Sequence, residues 1–191
     1  PGSLRKSGRG RIMSSLLHSA IDSSRLSYVP ATVELTEADL AGPEALATAL
    51  GVSVPPEWPP ELYSRPALMA VLEQLADRAE HGWSTWYLVG RESGGGLVGV
   101  CGFKGRPDPE GVVEVSYSIC PAFRNVGYAS EAVERLSRWA FTHAGVQTVT
   151  AETLPHLRQS IRVLEKNGFQ RAGQGSEYGV IRYALGRSNL R

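Results

Sequence analysis

The sequence is poor in cysteine, in long apolar runs and in excess charge of either sign, and each shortage argues against a class of protein. Its two cysteines, Cys101 and Cys120, each lie within an apolar run, so we expect reduced core thiols rather than a disulfide framework. No run approaches the roughly 18 apolar residues that a membrane span needs. The 20 basic and 19 acidic side chains leave a net charge of +1, which argues against a nucleic-acid or membrane partner. We therefore expect a cytoplasmic protein.

Two well-known phosphate-binding motifs are also missing. A P-loop needs Gly-Lys-Ser/Thr after a longer glycine spacing, and no such string occurs. A Rossmann fingerprint needs G-x-G-x-x-G in an early βαβ unit with an acidic residue about 20 positions later, and neither condition is met. His81 and His143 have no partner at ligand spacing, so we expect no metal site.

The first thirty residues differ from the rest of the chain. They begin "PGSLRKSGRGRI", without an initiator methionine and rich in Gly, Ser and basic residues, as in a vector-derived remnant. Because Asp22 is the one acidic residue in this stretch, a transit peptide is an alternative, but the remnant-like beginning makes it the weaker one. We expect residues 1–30 to be a remnant or a flexible extension, and residues 31–191 to form a single domain.

Hydrophobic periodicity predicts a mixed α/β order. "ATVELT" alternates as a half-buried strand does, and "TEADLAGPEALATALG" follows with helix formers after Thr36 as a candidate cap. A loop dense in proline precedes a second helix in "ALMAVLEQLADRAEHG", which we expect to end at Gly82. The β-rich runs "STWYLVG", "GGLVGVCGFKG" and "GVVEVSYSIC" are separated by turn sequences and predict an antiparallel meander.

The rest of the chain alternates helices and strands. Helical spacing predicts a helix over residues 129–143, and a short one in "RQSIRVLEKNG", with strands in "VQTVTAET" and "EYGVIRYAL". A further short strand is expected around residues 169–172. The predicted order is β-α-α-β-β-β-α-β-α-β.

A glycine turn at "FRNVGYASEAVERL" stands between a predicted strand and a predicted helix. Free backbone amides and the helix dipole at such a turn can hold a pyrophosphate. Gly127 would let the backbone approach the phosphates, and Ala129 would let the helix start close by. An ordinary helix-entry turn is the alternative from this motif alone.

The surrounding segments make the chain recognisable. "VEVSYSICPAFRNVGYASEAVERLSRWAF" followed by "VQTVTAETLPHLRQSIRVLEKNGFQRAG" resembles the GNAT superfamily of acetyl-CoA-dependent N-acetyltransferases, in particular its RimJ/RimL-like branch. The resemblance runs from about residue 97 to residue 185 and weakens toward residue 31. It implies a mixed, mostly antiparallel and splayed central sheet flanked by helices, and acetyl-CoA as co-substrate.

The resemblance also assigns the donor site. In this family the strand before the glycine turn pairs through its backbone with pantetheine, which corresponds here to Ser118, Ile119 and Cys120. The turn surrounds the pyrophosphate, mainly through main-chain amides. Arg124 adds a charge-assisted contact or remains a solvated loop residue. The implied pyrophosphate-binding residues are Arg124, Asn125, Val126, Gly127, Tyr128, Ala129 and Ser130.

Acetyl transfer needs a neutral amine, a polarised thioester carbonyl and a protonated leaving thiolate. Glu114 lies in the apolar strand "VVEVSYSI", where burial would raise its proton affinity and suit a general base; an exposed strand carboxylate is the alternative. A backbone amide near Ile119 would polarise the carbonyl. The serine matching Ser160 has been proposed as the proton donor in the RimJ/RimL-like branch, so Ser160 is our candidate, with a helix-start hydroxyl as its alternative role.

Two positions depart from the family pattern. Leu157 stands where many relatives have a cofactor-binding asparagine. Leu164 stands where the commonest general acid of the family, a tyrosine, is found. With Ile161 these leucines follow helical spacing, which predicts a core stripe. The departures motivate a second hypothesis, an inactive acetyl-CoA-binding sensor or assembly module.

The acceptor side is less well defined by sequence. In the superfamily the first helices and their linking loop shape the acceptor cleft, so an apolar amine or a peptide N-terminus would meet aromatic side chains there. Core packing is the better expectation for at least two of them. The oligomeric state is left open between monomer and homodimer. The candidate acceptor-binding residues are Trp58, Tyr63, Trp83 and Trp86.

Overall fold

The chain's N-terminal strands extend the sheet beyond the predicted domain boundary. The computed structural model describes residues 21–92 and 95–190. Strands β1 (Ile21–Asp22) and β2 (Leu26–Pro30) pair with each other, and β2 pairs with the next strand of the sheet. Leu26 and Tyr28 are fully buried. The boundary expected at residue 30 is therefore wrong for residues 21–30, while residues 1–20 lie outside the described part of the chain.

The segment predicted as the first strand is instead the start of a helix. Helix α1 (Val33–Ala41) buries Leu35, Thr36 and Asp39, a spacing that only a helical period places on one face. Its cap is Thr32, whose side chain accepts from the Leu35 amide, rather than Thr36. Gly42, at a φ of 125°, separates α1 from α2 (Pro43–Leu50).

The proline-dense segment is a loop, as predicted. We call residues 52–64 the proline loop; it contains no helix or strand. Helix α3 (Arg65–Leu75) follows and buries Leu68, Val71 and Leu75. It ends seven residues before Gly82, and a short 3-10 turn at Arg78–Glu80 fills part of that interval.

Three strands form the predicted antiparallel meander. They are β3 (Thr85–Gly90), β4 (Leu97–Phe103) and β5 (Val112–Ile119). Every residue of β4 is buried, because helices cover both faces of the sheet at this strand.

The C-terminal elements also match the predicted order. They are α4 (Tyr128–Phe141), β6 (Thr148–Thr153), α5 (Arg158–Lys166), β7 (Gln170–Gln174) and β8 (Ile181–Gly186).

In the described residues the strands form one sheet in the order β1-β2-β3-β4-β5-β6-β8-β7. All neighbours are antiparallel except β5 and β6, which run parallel. That pair is short: Val112, Val113 and Glu114 are matched with residues of β6, and the pairing stops there. The five later residues of β5 pair with β4 alone, so the sheet is splayed between β5 and β6.

Two apolar cores lie on opposite faces of the sheet. One packs α4 and α5 against the face that carries Val113, Val115 and Ile119. The other packs α1, α2, α3 and the proline loop against the face that carries Tyr87 and Val100. Since side chains alternate along a strand, Glu114, Ser116 and Ser118 of β5 project toward the second face.

Two further predictions concern the cysteines and membrane-spanning helices. Cys101 and Cys120 are buried free thiols, as predicted. Within residues 21–92 and 95–190, no helix has the length and apolar character required to cross a bilayer.

Candidate active site at the splayed strands

The opening between β5 and β6 exposes one side of the β5 main chain. At one end of the β4–β5 ladder the Lys104 amide donates to Glu114 O, and at the other end the Cys120 amide donates to Val98 O. These two bonds fix which residues of β5 direct their main-chain groups toward β4. Residues 114, 116, 118 and 120 consequently direct their main-chain groups toward β4. Tyr117 and Ile119 direct theirs toward the opening, beyond the last β6 partner.

This alternation refines the predicted backbone-pairing residues. Of the three candidates, Ile119 faces the opening, while Ser118 and Cys120 do not; the Cys120 amide donates to Val98 O at 3.0 Å. Tyr117, which the sequence reasoning did not select, takes their place. Counting along the strand in steps of two from Ile119 would have indicated it.

The glycine turn ends at an uncapped helix. Asn125 has a φ of 64° and Gly127 a φ of 94°, so the turn alternates left-handed and ordinary backbone, the arrangement of an anion-binding nest. Gly127 is the N-cap of α4 and offers no side chain to the helix amides. Tyr128, Ala129 and Ser130 form the first turn, whose amides have no intrahelical acceptor. An anion would satisfy them.

Arg25, from the turn between β1 and β2, holds this glycine turn from outside. Its Nη1 donates to Val126 O at 2.9 Å, and its Nε and Nη2 reach the Glu131 carboxylate at 2.8 and 2.7 Å. The guanidinium also lies 4.7 Å from the centre of the Tyr128 ring. Since residues 1–30 were set aside as an extension, sequence reasoning missed Arg25.

Glu131 is the acceptor of a dense set of donors. Burial disfavours its charged form, but hydrogen bonds from Ser23, the Arg25 amide and side chain, and Ser24 outweigh burial and lower the pKa of Glu131. A charged carboxylate in the first turn of α4 is also favoured by the helix dipole. The β1–β2 hairpin is therefore anchored to the start of α4.

Arg124 has two specific partners. Its Nε donates to Ile119 O at 2.9 Å, and its Nη2 pairs with Glu61 Oε2 of the proline loop at 3.0 Å. Ser118 Oγ donates to the main-chain oxygen of the same Glu61. The proline loop is therefore tied to the end of β5 and to the glycine turn, a contact that sequence reasoning did not anticipate.

Glu114 occupies the last matched position of β5 and β6, opposite Thr150. Its side chain is 22% exposed and forms an ion pair with Lys104 Nζ. The deep burial expected from the apolar strand is absent, because Glu114 projects toward the face where α1–α3 cover β2–β4 but leave β5 partly open.

Ser160 approaches β5 from the opposite face. It lies in the first turn of α5, and its Oγ is 2.9 Å from the Tyr117 hydroxyl. Leu157, the N-cap of α5, makes no side-chain cap bond. The hydroxyl of Ser160 thus pairs with Tyr117 rather than with the backbone amides of its own helix start.

The leucine stripe of α5 is only partly core. Leu164 is fully buried and Ile161 is packed against the main core, but Leu157 is 40% exposed. The core prediction is therefore wrong for Leu157, because it is the N-cap and precedes the helical turns that pack against the core. At the other end of the helix, Asn167 Nδ2 donates to Ser130 O at 3.1 Å and joins α5 to α4.

The four candidate acceptor aromatics do not share one pocket. Trp83 and Trp86 lie in the core beside α4, whereas Trp58 and Tyr63 lie in the core beneath the proline loop on the other face of the sheet. All four are at most 8% exposed. The expectation of a common aromatic wall is corrected, and the expectation that at least two are core residues agrees with their burial.

A buried carboxylate supports the proline loop. Asp39 of α1 accepts from Trp58 Nε1 at 2.7 Å and from the Tyr87 hydroxyl at 3.1 Å. Burial raises the pKa of Asp39, and the hydrogen bonds only partly offset that effect. In the described residues no group of His, Cys, Asp or Glu is arranged to hold a metal ion.

Comparison with known proteins identifies the family. The acetyltransferase (GNAT) domain matches residues 34–170. The uncharacterized N-acetyltransferase YjdG of Bacillus subtilis is 26% identical over 160 residues, which are 83% of this chain and 94% of YjdG.

Two solved structures share the fold. The ribosomal-protein-S5-alanine acetyltransferase of Vibrio fischeri has a TM-score of 0.61 and 16% identity, over 90% of this chain and 98% of that one. The apo form of RimL, a ribosomal L7/L12 α-N-protein acetyltransferase, has a TM-score of 0.62 and 15% identity, over 88% and 94%. The chain belongs to the GNAT family of acetyltransferases.

Proposed function

We propose that this protein is an acetyl-CoA-dependent N-acetyltransferase that transfers an acetyl group to a primary amine by direct attack on the thioester. The observation that supports this most is the opening between β5 and β6, which lies next to the start of α4, where the N-cap Gly127 provides no side-chain cap. An extended chain carrying a pyrophosphate matches both features, because one binds along a strand and the other at helix amides.

The residues present fit such a donor. The amides of Tyr128, Ala129 and Ser130 would hold the pyrophosphate, with Asn125, Val126 and Gly127 shaping the turn around it. The main-chain groups of Ile119 and Tyr117 would pair with the pantetheine. Acetyl-CoA supplies the activated thioester carbonyl. Arg124 is positioned to move between Glu61 and a phosphate.

Glu114 is our proposed general base. It lies where β5 and β6 separate, on the sheet face shared with α1–α3 and the proline loop. A carboxylate at that place can accept the proton of an incoming ammonium, directly or through a water molecule. Its ion pair with Lys104 holds the side chain in one direction.

Ser160 is our proposed proton donor to the departing thiolate. It lies on the other face of β5, at the positive end of the α5 dipole, which favours a developing negative charge. The base and the donor therefore flank the opening from opposite faces of the sheet.

The acceptor would enter beside the proline loop. Glu61 is exposed there, and Trp58 and Tyr63 anchor the loop from beneath. Two structural neighbours are named for the acetylation of ribosomal proteins, so a protein N-terminus is our first acceptor class and a small-molecule amine the second.

An inactive acetyl-CoA-binding sensor is the alternative, because Leu164 is fully buried and Leu157 carries no polar group. The two functions separate in a paired assay. An enzyme releases thiol from acetyl-CoA with at least one member of a panel of peptides and amines, whereas a sensor binds acetyl-CoA in calorimetry and releases none.

Glu114→Gln tests the assignment of the base. We expect kcat to fall by about 100-fold or more, since general-base catalysis is typically worth about 10² to 10⁴ in rate, with the Kd for acetyl-CoA nearly unchanged. Glu110→Gln, in the exposed turn before β5, is the matched control and should keep full activity. Equal turnover in Glu114→Gln and wild type would remove Glu114 from the mechanism.

A further inference from the structure

Tyr117 connects the opened end of β5 to the start of α5. It lies three residues beyond the last matched pair of β5 and β6. Its hydroxyl is 2.9 Å from Ser160 Oγ and 3.3 Å from the Ser160 carbonyl oxygen. The contact joins residues 43 positions apart and spans the mouth of the opening, on the face opposite Glu114.

The direction of the Tyr117 proton follows from the competing acceptors. The Ser160 carbonyl lies within α5, where the amide four residues later already donates to it. Ser160 Oγ is nearer and carries two lone pairs. We take Oγ, the nearer atom, as the acceptor of the Tyr117 proton, an arrangement in which the proton of Ser160 is directed away from Tyr117.

The phenol is suited to a constant donor role. Burial raises the pKa of Tyr117 to about 12, against a smaller lowering by the hydrogen bond with Ser160. Cys101 of β4 lies opposite Tyr117 in the sheet and is the titratable group of β4 that affects the phenol. Burial raises the pKa of the Cys101 thiol as well. Both groups stay protonated at neutral pH.

We propose, on the basis of the function proposed above, that Tyr117 is a positioning residue that orients the Ser160 hydroxyl toward the departing sulfur. The hydrogen bonds run from Tyr117 to Ser160 Oγ, and from the Ser160 hydroxyl to the sulfur. Charge that develops on sulfur is stabilised through this chain, and no bond to Tyr117 breaks. The residue at 164, a buried leucine, offers no competing hydroxyl.

A double-mutant cycle tests the coupling. Tyr117→Phe and Ser160→Ala should each lower kcat by about tenfold or more, the equivalent of about 1.4 kcal/mol, because each removes a hydrogen bond from the chain that ends at the developing charge on sulfur. The double variant should be no slower than Ser160→Ala, because Tyr117 acts through Ser160. Independent, multiplying losses would overturn the proposal, and so would a Tyr117→Phe variant with wild-type kcat.

A binding measurement tests the same chain without turnover. CoA has an ionisable thiol and acetyl-CoA has none, so the ratio of their affinities between pH 6 and 9 reports how well the site stabilises the thiolate. In wild type the affinity for CoA relative to that for acetyl-CoA should increase by about tenfold as pH rises. This is the equivalent of lowering the pKa of the bound thiol by about one unit. In Tyr117→Phe and Ser160→Ala this rise should be reduced. An equal rise in all three proteins would contradict the proposal.

The control is Tyr178→Phe, which removes a hydroxyl from a side chain that is 99% exposed in the turn before β8. It should match wild type in both assays. If wild type releases no thiol with any acceptor, the proposed catalytic function fails, while the CoA ratio still decides the role of Tyr117. Thermal melting identifies any variant whose fold is disturbed, and a purely structural link would change the melting temperature but leave the pH dependence of the ratio intact.

Discussion

At the scale of single residues, Asp39 is a carboxylate whose ionisation opposes folding. It is 6% exposed and its pKa is raised above the ordinary value of 3.8, by burial first. A group whose pKa is raised by folding contributes stability that is complete below its unfolded pKa and is lost as pH rises through its folded pKa. The stability of the protein should therefore contain a component that decreases as pH increases from about 4.

Asp39→Asn removes this component while keeping an oxygen acceptor for Trp58 Nε1. Unfolding in urea at several pH values measures the effect. The unfolding free energy of Asp39→Asn, relative to that of wild type, should increase as pH rises. A difference that is constant with pH would contradict the assignment. Asp39→Leu is the contrasting variant: it leaves two buried donors unpaired and should cost about 2 to 4 kcal/mol at about pH 4, a cost that decreases as pH rises because the titrating group is removed here too.

The positions of candidate residues were predictable from sequence where they depend on local geometry. The helix-entry turn around Gly127 and the serine in the first turn of α5 are set by neighbours in the chain, and each lies in the predicted element. Tyr117, Arg25 and Glu61 make contacts across 43 to 106 positions. Such contacts depend on how the strands separate, which no local pattern encodes.

At the scale of elements, the β1–β2 hairpin contacts the glycine turn of the proposed donor site through Arg25. Arg25→Ala removes the bond to Val126 O and the ion pair to Glu131, so the glycine turn loses its outer support. We expect the Kd for acetyl-CoA to rise by about tenfold, the equivalent of about 1.4 kcal/mol, as measured by calorimetry.

Arg91→Ala is the matched control, because Arg91 holds the same hairpin through Ser23 O and Asp22 without contacting the glycine turn. Its affinity for acetyl-CoA should stay within about twofold of wild type. A loss equal to that of Arg25→Ala would mean that the position of the hairpin, and not the contact made by Arg25, controls the turn.

The two errors in predicting elements have separate physical causes. "ATVELT" is too short to separate a period of 2 from one of 3.6, and the helical period becomes clear only when Asp39 is seen to be buried. Strand β2 was missed because residues 1–30 were judged by composition, while its Leu26, Tyr28 and Val29 bury deeply in the sheet. The meander and the α4–β8 region were predicted correctly because turn sequences bound each run.

At the scale of the whole molecule, the sheet consists of two parts joined by three matched pairs between β5 and β6. Acetyl-CoA bound in the opening would contact both parts. At 100 times its Kd it should stabilise the fold by about 2.7 kcal/mol, measured as an increase in melting temperature.

Hydrogen exchange tests where that stability arises. Added protection should appear on both sides of the opening, at the end of β5, the start of α4 and the first turn of α5. The edge hairpin of β7 and β8 serves as an internal control and should change little. Protection confined to the β1–β5 part would mean that the ligand does not bridge the sheet.

The contacts of Glu61 would connect the proposed donor and acceptor sides of the molecule thermodynamically. Its carboxylate holds Arg124 and its main-chain oxygen holds Ser118, while Trp58 and Tyr63 of the same loop are buried in the core. Any ligand that attracts Arg124 must weaken this attachment, and the loop then rearranges at lower cost. By reciprocity, a ligand that moves the loop changes the affinity at the glycine turn by the same factor. If acetyl-CoA and an acceptor bind as proposed, we therefore expect their affinities to be coupled while residue 61 is a glutamate.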